Sequence, residues 1–185
     1  VMISTKPPAN ASPNYVDLMR SFDSRRILVV GDICLDCYIR GDVSRISPEA
    51  PVPVLLAHQE NNVLGQAGNS FSNLIGLQIK AAILSVIGPD RDGDIIRNLV
   101  ENTGADPQNL IVDPKSRTTV KTRYMSGHQQ VLRVDVDGAR TCPADIEDVL
   151  ISRASDLIPT QDAIILSDYG YRHLTDRLIR HIITC

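Results

Sequence analysis

Arg26-Ile27-Leu28-Val29-Val30-Gly31-Asp32 carries four consecutive aliphatic residues and ends in Gly-Asp. A strand with no polar face is buried on both faces, as the strands of parallel sheets are. Two more segments share this design. They are Ala81-Ala82-Ile83-Leu84-Ser85-Val86-Ile87, within 80–88, and Ala163-Ile164-Ile165-Leu166-Ser167-Asp168. A shorter strand is predicted at Asn109 to Val112. Helical spacing fills the intervals. Phe71, Leu74 and Ile75 recur before a stop at Gly76. Ile95, Ile96, Leu99 and Val100 lie on one face of 94–103, after a turn at 89–93. Ile146, Val149, Leu150, Ala154 and Leu157 form a stripe within 143–157, and a last helix covers 174–183. Strand and helix alternate, which predicts an α/β domain with a doubly wound, mostly parallel sheet. Ligands of such sheets bind beyond the carboxyl ends of the strands. Asp32 and Asp168 sit at two of those ends.

An antiparallel excursion interrupts the alternation. Leu35 to Arg40 and Pro53 to Gln59 read as strands. Between them, Gly41-Asp42-Val43-Ser44-Arg45-Ile46-Ser47-Pro48-Glu49-Ala50-Pro51-Val52-Pro53-Val54 holds three prolines and a glycine. Proline supplies no backbone donor, so this segment is expected to be an ordered, extended loop rather than the middle of a sheet. Ordered long loops are often functional, and Arg45 and Glu49 are its most informative side chains. Thr118 to Met125 and Gln130 to Val136 alternate as a hairpin turning at Ser126-Gly127-His128, with Lys121, Arg123 and Arg133 on a polar face expected to meet solvent. Gly65-Gln66-Ala67-Gly68-Asn69 opens the helix that ends at Gly76. A glycine-led helix start offers free backbone N–H groups to a ligand.

The chain of 185 residues is 43% hydrophobic and 22% charged, a globular composition, and its net charge of -3 gives no reason to expect a nucleic-acid partner. No apolar run approaches the roughly 18 residues of a membrane-spanning helix. Val1 to Pro13 lacks the apolar core of a signal peptide. A cytoplasmic protein is expected, with residues 1–25 a flexible tail and a short helix over 13–22 capped by Ser12. Cys34-Leu-Asp-Cys37 matches C-x-x-C. Its extended context and the lack of a second Cys/His pair favour free thiols over zinc or redox chemistry. The four histidines show no ligand spacing, so no protein-held metal is expected.

Several of these motifs together resemble one family. Gly31-Asp32, Leu35-Asp36, the 41–54 segment, Gly65-Gln66-Ala67-Gly68-Asn69, Gln129-Gln130 with Arg133 and Asp135, and Ser167-Asp168-Tyr169 are similar to the N-terminal part of the D-glycero-β-D-manno-heptose 7-phosphate kinases. These are the kinase modules of bifunctional ADP-heptose synthesis enzymes, within the ribokinase-like (PfkB) sugar kinases. The resemblance implies a Rossmann-like kinase domain over 26–185. A small β-sheet lid, drawn from about 35–60 and 118–136, commonly pairs with the lid of a second subunit. It implies contacts to the sugar from Asp36, Gly65, Gly68 and Asn69, and charge-assisted bonds to the 7-phosphate from Arg45, Lys121 or Arg123. The family's reaction phosphorylates the anomeric hydroxyl with ATP and Mg²⁺, on the way to lipopolysaccharide core heptose. The chain departs from the family at Gln66, where a glycine pair is usual. It departs again at Gly170-Tyr171-Arg172-His173, where Lys-Gly usually follows Ser-Asp-Tyr. The late Gly-Ala-Gly-Asp motif that carries the family's catalytic base, and the nucleotide-binding half around it, do not occur in the sequence, so this chain alone is expected not to phosphorylate a sugar.

Overall fold

The computed structural model describes residues 14–171 and 173–185. Its elements are α1 (Tyr15–Arg20), β1 (Arg26–Gly31), β2 (Ile33–Ile46), β3 (Pro53–Gln66), α2 (Ala67–Gly76), β4 (Lys80–Ile87), α3 (Arg91–Glu101), β5 (Leu110–Val112), β6 (Val120–Ser126), β7 (Gln129–Val136), α4 (Ala144–Leu157), β8 (Ala163–Ser167) and α5 (Asp176–Thr184).

The apolar runs form one parallel sheet in the order β5-β4-β1-β8. Strand β1 divides its side chains between two cores. Val29 packs with Ile83, Phe71, Ile96 and Val100 under α2 and α3. Leu28 and Val30 pack with Leu84, Leu150, Ala154, Leu178 and Ile182 under α4 and α5. This accounts for the lack of a polar face in β1, since each fully buried aliphatic side chain contributes about 1.5–3 kcal/mol. β8 is less buried than its sequence predicts, with Leu166 38% exposed. It is an edge strand, and among the described residues no strand covers its outer side. Val149, placed on the apolar stripe of α4 by spacing, is likewise exposed, while Ile146, Leu150 and Ala154 face inward.

The second sheet corrects the reading of 41–54. Gly41 to Ile46 are not loop. They continue β2 and pair with β3, with register shifts at Arg40/Gly41 and Val43/Arg45. Only residues 47–52 are irregular, closed by the Ser47 N–H donating to the Val52 carbonyl at 2.8 Å. Pro48 and Pro51 fall in that turn, and Pro53 begins an edge strand, where a missing donor costs no ladder bond. β3 runs seven residues past the predicted Gln59, to Gln66. The sheet order is β3-β2-β6-β7. The two outer pairs are antiparallel, and β2 and β6 are parallel, so the excursion is mixed rather than antiparallel.

Helix starts also shift from their predicted places. Asp90, read as part of a turn, is the N-cap of α3 and accepts from the Gly93 N–H at 2.9 Å. Its other oxygen accepts from the Thr118 N–H at 2.8 Å, tying α3 to the approach to β6. Helix α1 is capped by Asn14. The predicted cap Ser12, Pro13 and the expected tail lie outside the described residues.

Candidate functional site: the polar face of the second sheet

One residue, Asp32, separates β1 from β2, so the second sheet rises directly from the carboxyl edge of the first. Alternation along β2 sends Leu35 into the α2/α3 core and Asp36 to the opposite face. In the β2/β6 register Asp36 lies beside Lys121 and Tyr38 beside Arg123, and in the β6/β7 register Lys121 lies beside Asp135. A row of charges results. Arg123 donates to Asp36 in a close ion pair, with side chains 20% and 17% exposed. The Arg123 guanidinium also lies 5.2 Å from the Tyr38 ring centre. Lys121 is 3.7 Å from the Asp135 carboxylate, which Arg133 Nε reaches at 2.9 Å. Lys121 and Arg123, expected to face solvent, are therefore mostly buried, whereas Arg133 remains half-exposed.

Burial opposes the charges of Lys121 and Arg123. For Lys121 the bond to Tyr171 and the Asp135 carboxylate outweigh it, and for Arg123 the bond to Asp36 does, so both pKa values rise. Cys34, on the same face as Asp36, is pushed up to about 12 by burial and by the Asp36 carboxylate. Burial, then Glu60, raise Cys37. Both are unreactive thiols with no disulfide.

Gly65, at the end of β3, pairs with Cys34. A Cβ there would come within 2.5 Å of Asp36 Oδ2 and Cys34 Sγ, so the carboxylate needs a glycine beside it. Gly68 is packed in the first turn of α2 against Leu64 and Ile33, and Asn69 in the same turn is exposed. Between them and Gly65, Gln66 takes φ 56 and ψ -123. Glycine tolerates that region, whereas for a side-chain-bearing residue it costs about 1–3 kcal/mol.

Asp32 and Asp168 have different roles. Asp32 is 1% exposed and accepts the backbone N–H groups of Tyr169 (2.8 Å) and Tyr171 (3.2 Å). His173 Nδ1 lies 3.1 Å from its other oxygen, off the line of a hydrogen bond. Burial favours protonation of Asp32, yet the His173 contact and the two amides prevail and lower its pKa. Asp32 thus holds the 169–173 loop and faces no solvent. Asp168 is exposed and accepts from the Gly170 N–H at 2.8 Å within its own turn. Arg45 and Glu49 are also apart from the cluster. Both are exposed, Arg45 near the end of β2 and Glu49 in the hairpin turn. Nine residues of strand separate Arg45 from Asp36, roughly 30 Å.

The loop supplies residues that the sequence did not reveal. Tyr171, 6% exposed, accepts from Lys121 Nζ at 3.2 Å and donates to Asp137 Oδ1 at 2.9 Å. Arg140 pairs with Asp137 and lies 5.4 Å from the Tyr171 ring centre. The arrangement is an open face of paired charges beside a glycine-flanked carboxylate, suited to a ligand carrying both hydroxyls and an anion. A surface hollow of 510 Å³, lined by Arg26, Lys80, Gly104 and Asp106, lies at the opposite, amino edge of the parallel sheet. Among the described residues no three His, Cys, Asp or Glu side chains converge to hold a metal, and no helix is long and apolar enough to cross a membrane.

Residues 24–172 match the model of the pfkB family of carbohydrate kinases. The chain is 39% identical over 163 residues to the bifunctional protein HldE of Caulobacter vibrioides, covering 88% of this chain and 33% of that protein. It is 43% identical over 158 residues to that of Methylobacillus flagellatus, covering 85% and 32%. It thus spans about a third of the length of these relatives. Among solved structures, a putative phosphofructokinase from Staphylococcus aureus superposes with a TM-score of 0.64 at 14% identity, over 86% of this chain and 48% of that one. Ribokinase of Arabidopsis thaliana, complexed with ribose and ATP, gives 0.54 at 14%, over 77% and 45%. These likenesses show the ribokinase-like fold that the family resemblance implied, and with it the α/β alternation read from the strand pattern. With the family match over most of its length, the chain belongs to the pfkB family of carbohydrate kinases.

Proposed function

We propose that the chain is the sugar-phosphate-binding part of an ATP-dependent carbohydrate kinase, and that its sugar is D-glycero-β-D-manno-heptose 7-phosphate, phosphorylated at the anomeric hydroxyl. The observation that carries this reading is the Asp36 carboxylate, held by Arg123 and fitted against Gly65 at the junction of the two sheets. A carboxylate fixed in this way accepts hydrogen bonds from sugar hydroxyls, and Lys121 lies beside it to meet a phosphate. The likeness to HldE proteins supports the heptose over other sugars. ATP supplies the phosphoryl group in this family, and Mg²⁺ accompanies it. The late motif and nucleotide-binding half that the family resemblance associates with that step do not occur in this sequence, so the proposal concerns the sugar side alone.

Calorimetric titration with the heptose 7-phosphate tests it, with ribose and fructose 6-phosphate as competitors. Asp36→Asn should weaken heptose binding about thirtyfold, the worth of a hydrogen bond to a charged acceptor. Unchanged affinity would remove Asp36 from the site. Preference for another sugar would reassign the substrate, and binding with no turnover by any assembly containing the chain would make it a binding module.

We also propose that a second copy covers the other face of the second sheet, where Leu132 and Val134 are 54% and 42% exposed. A monomer at micromolar concentration in analytical ultracentrifugation would contradict this.

A further inference from the structure

Tyr171 is held at both ends. Asp32 accepts its backbone N–H at the carboxyl end of β1, and Asp137, just beyond β7, accepts its hydroxyl proton. The loop after β8 therefore reaches the second sheet through one phenol. That phenol touches the row of charges at one point, Lys121, whose ammonium donates to it at 3.2 Å and stands 5.7 Å from its ring centre. Arg123, the other cation of the row, is engaged by Asp36. Arg133 is engaged by Asp135, and Arg140 by Asp137. Among the described residues, Lys121 has only the looser 3.7 Å approach of Asp135 besides Tyr171. An ammonium has three donors, so Lys121 keeps donor capacity for a further acceptor.

We propose that Tyr171 is a positioning residue that sets the specificity of this face for phosphorylated sugars. Its hydroxyl, anchored on Asp137, holds the Lys121 ammonium where it takes the anionic group of the ligand. The inference rests on the reading of this face as a sugar-phosphate site. It goes beyond that reading by assigning control of Lys121 to Tyr171, a loop residue that stands where the family's Ser-Asp-Tyr-Lys-Gly pattern has its glycine.

Tyr171→Phe keeps the ring between Lys121 and Arg140 and removes the hydroxyl. Its affinity for heptose 7-phosphate should fall about tenfold, while its affinity for the unphosphorylated heptose stays at the wild-type value. In a double-mutant cycle, adding Tyr171→Phe to Lys121→Met should cause no further loss. Asp137→Asn, which loosens the phenol without touching it, should reproduce the phosphate-selective loss and serves if the tyrosine variant folds poorly. Equal losses on both ligands would mark Tyr171 as structural and overturn the inference. So would no loss, or full additivity with Lys121→Met. If the wild-type chain fails to bind heptose 7-phosphate at all, the sugar-phosphate reading falls, and the inference with it.

Discussion

Asp32→Ala should lower the thermal midpoint by about 10 °C. The substitution removes a carboxylate that is 1% exposed and leaves the Tyr169 and Tyr171 N–H groups without their acceptor. Each orphaned donor costs about 1–3 kcal/mol, the buried Tyr171 N–H more than the partly buried Tyr169 N–H. The terms overlap, so about 3–4 kcal/mol is expected in all, and a chain of this size loses about 2–4 °C per kcal/mol. The pH dependence identifies the carboxylate as the cause. The pKa of Asp32 is lowered in the folded state from an ordinary 3.8. Its contribution is therefore complete above that value and is lost as pH falls through the depressed folded value. The gap between wild-type and Asp32→Ala midpoints should stay constant near neutrality and narrow below pH 3.8. A gap unchanged down to the acid limit would mean that packing, rather than charge, accounts for the loss.

Gly31→Ala should be nearly as damaging, for a different reason. Gly31 faces Ser167 in the β1/β8 register. A Cβ would overlap the Ser167 carbonyl oxygen and lie 2.8 Å from its carbon and 2.9 Å from its Cβ. The obstacle is backbone, which cannot rotate away as a side chain can. Gly31 is fixed from the other side too, because its carbonyl accepts from Ser85 Oγ at 2.5 Å. Overpacking costs about 1–3 kcal/mol where side chains give way, so about 3 kcal/mol and a midpoint lowered by roughly 6–12 °C are expected. Gly76→Ala is the control. A Cβ there meets nothing within 4 Å, and the added methyl should raise stability by about 0.5–1 kcal/mol. A Gly31→Ala protein as stable as wild type would show that β8 is free to move off β1.

The sequence carried the parallel sheet because each of its central strands is apolar at successive positions, a pattern with few alternative explanations. It was less informative where one residue type has two uses. The prolines at 48, 51 and 53 suggested a loop from 41 to 54, yet a hairpin turn and the start of an edge strand accommodate all three, and Gly41 to Ile46 pair with β3 around two register shifts. For the candidate site, the family resemblance marked Asp36, Gly65 and Lys121, but Asp135 comes beside Lys121 only through the register shift between Tyr124 and Met125, which alternation in the sequence does not announce. Tyr171 was not legible. It lies 50 positions from Lys121 and reaches it from an irregular loop, where no periodicity indicates the direction of a side chain. Asp32 and Asp168 look alike in sequence, each ending an apolar strand, but Asp32 is buried and accepts two amides of the following loop, whereas Asp168 is exposed and accepts one from its own turn.

The single-residue junction at Asp32 has a mechanical consequence. The chain crosses between the sheets again at Gln66, and the two crossings are bonded to each other, with the Ala67 N–H donating to the Asp32 carbonyl at 2.9 Å. The Asp32 N–H is in turn bonded to the Ser167 carbonyl at 3.1 Å. These bonds resist sliding and leave twist as the soft coordinate, so the four strands of the second sheet, two long and two short, should swing as one plate about a torsion axis near Asp32. Asp36 lies four residues along the lever and Arg45 thirteen, arms of about 13 Å and 43 Å for straight strands. A swing of about 10° would then move Asp36 by roughly 2 Å and Arg45 by roughly 7 Å. A small adjustment around a bound sugar becomes a large excursion of the hairpin tip, which makes residues 45–52 the natural place for a spectroscopic label that reports occupancy.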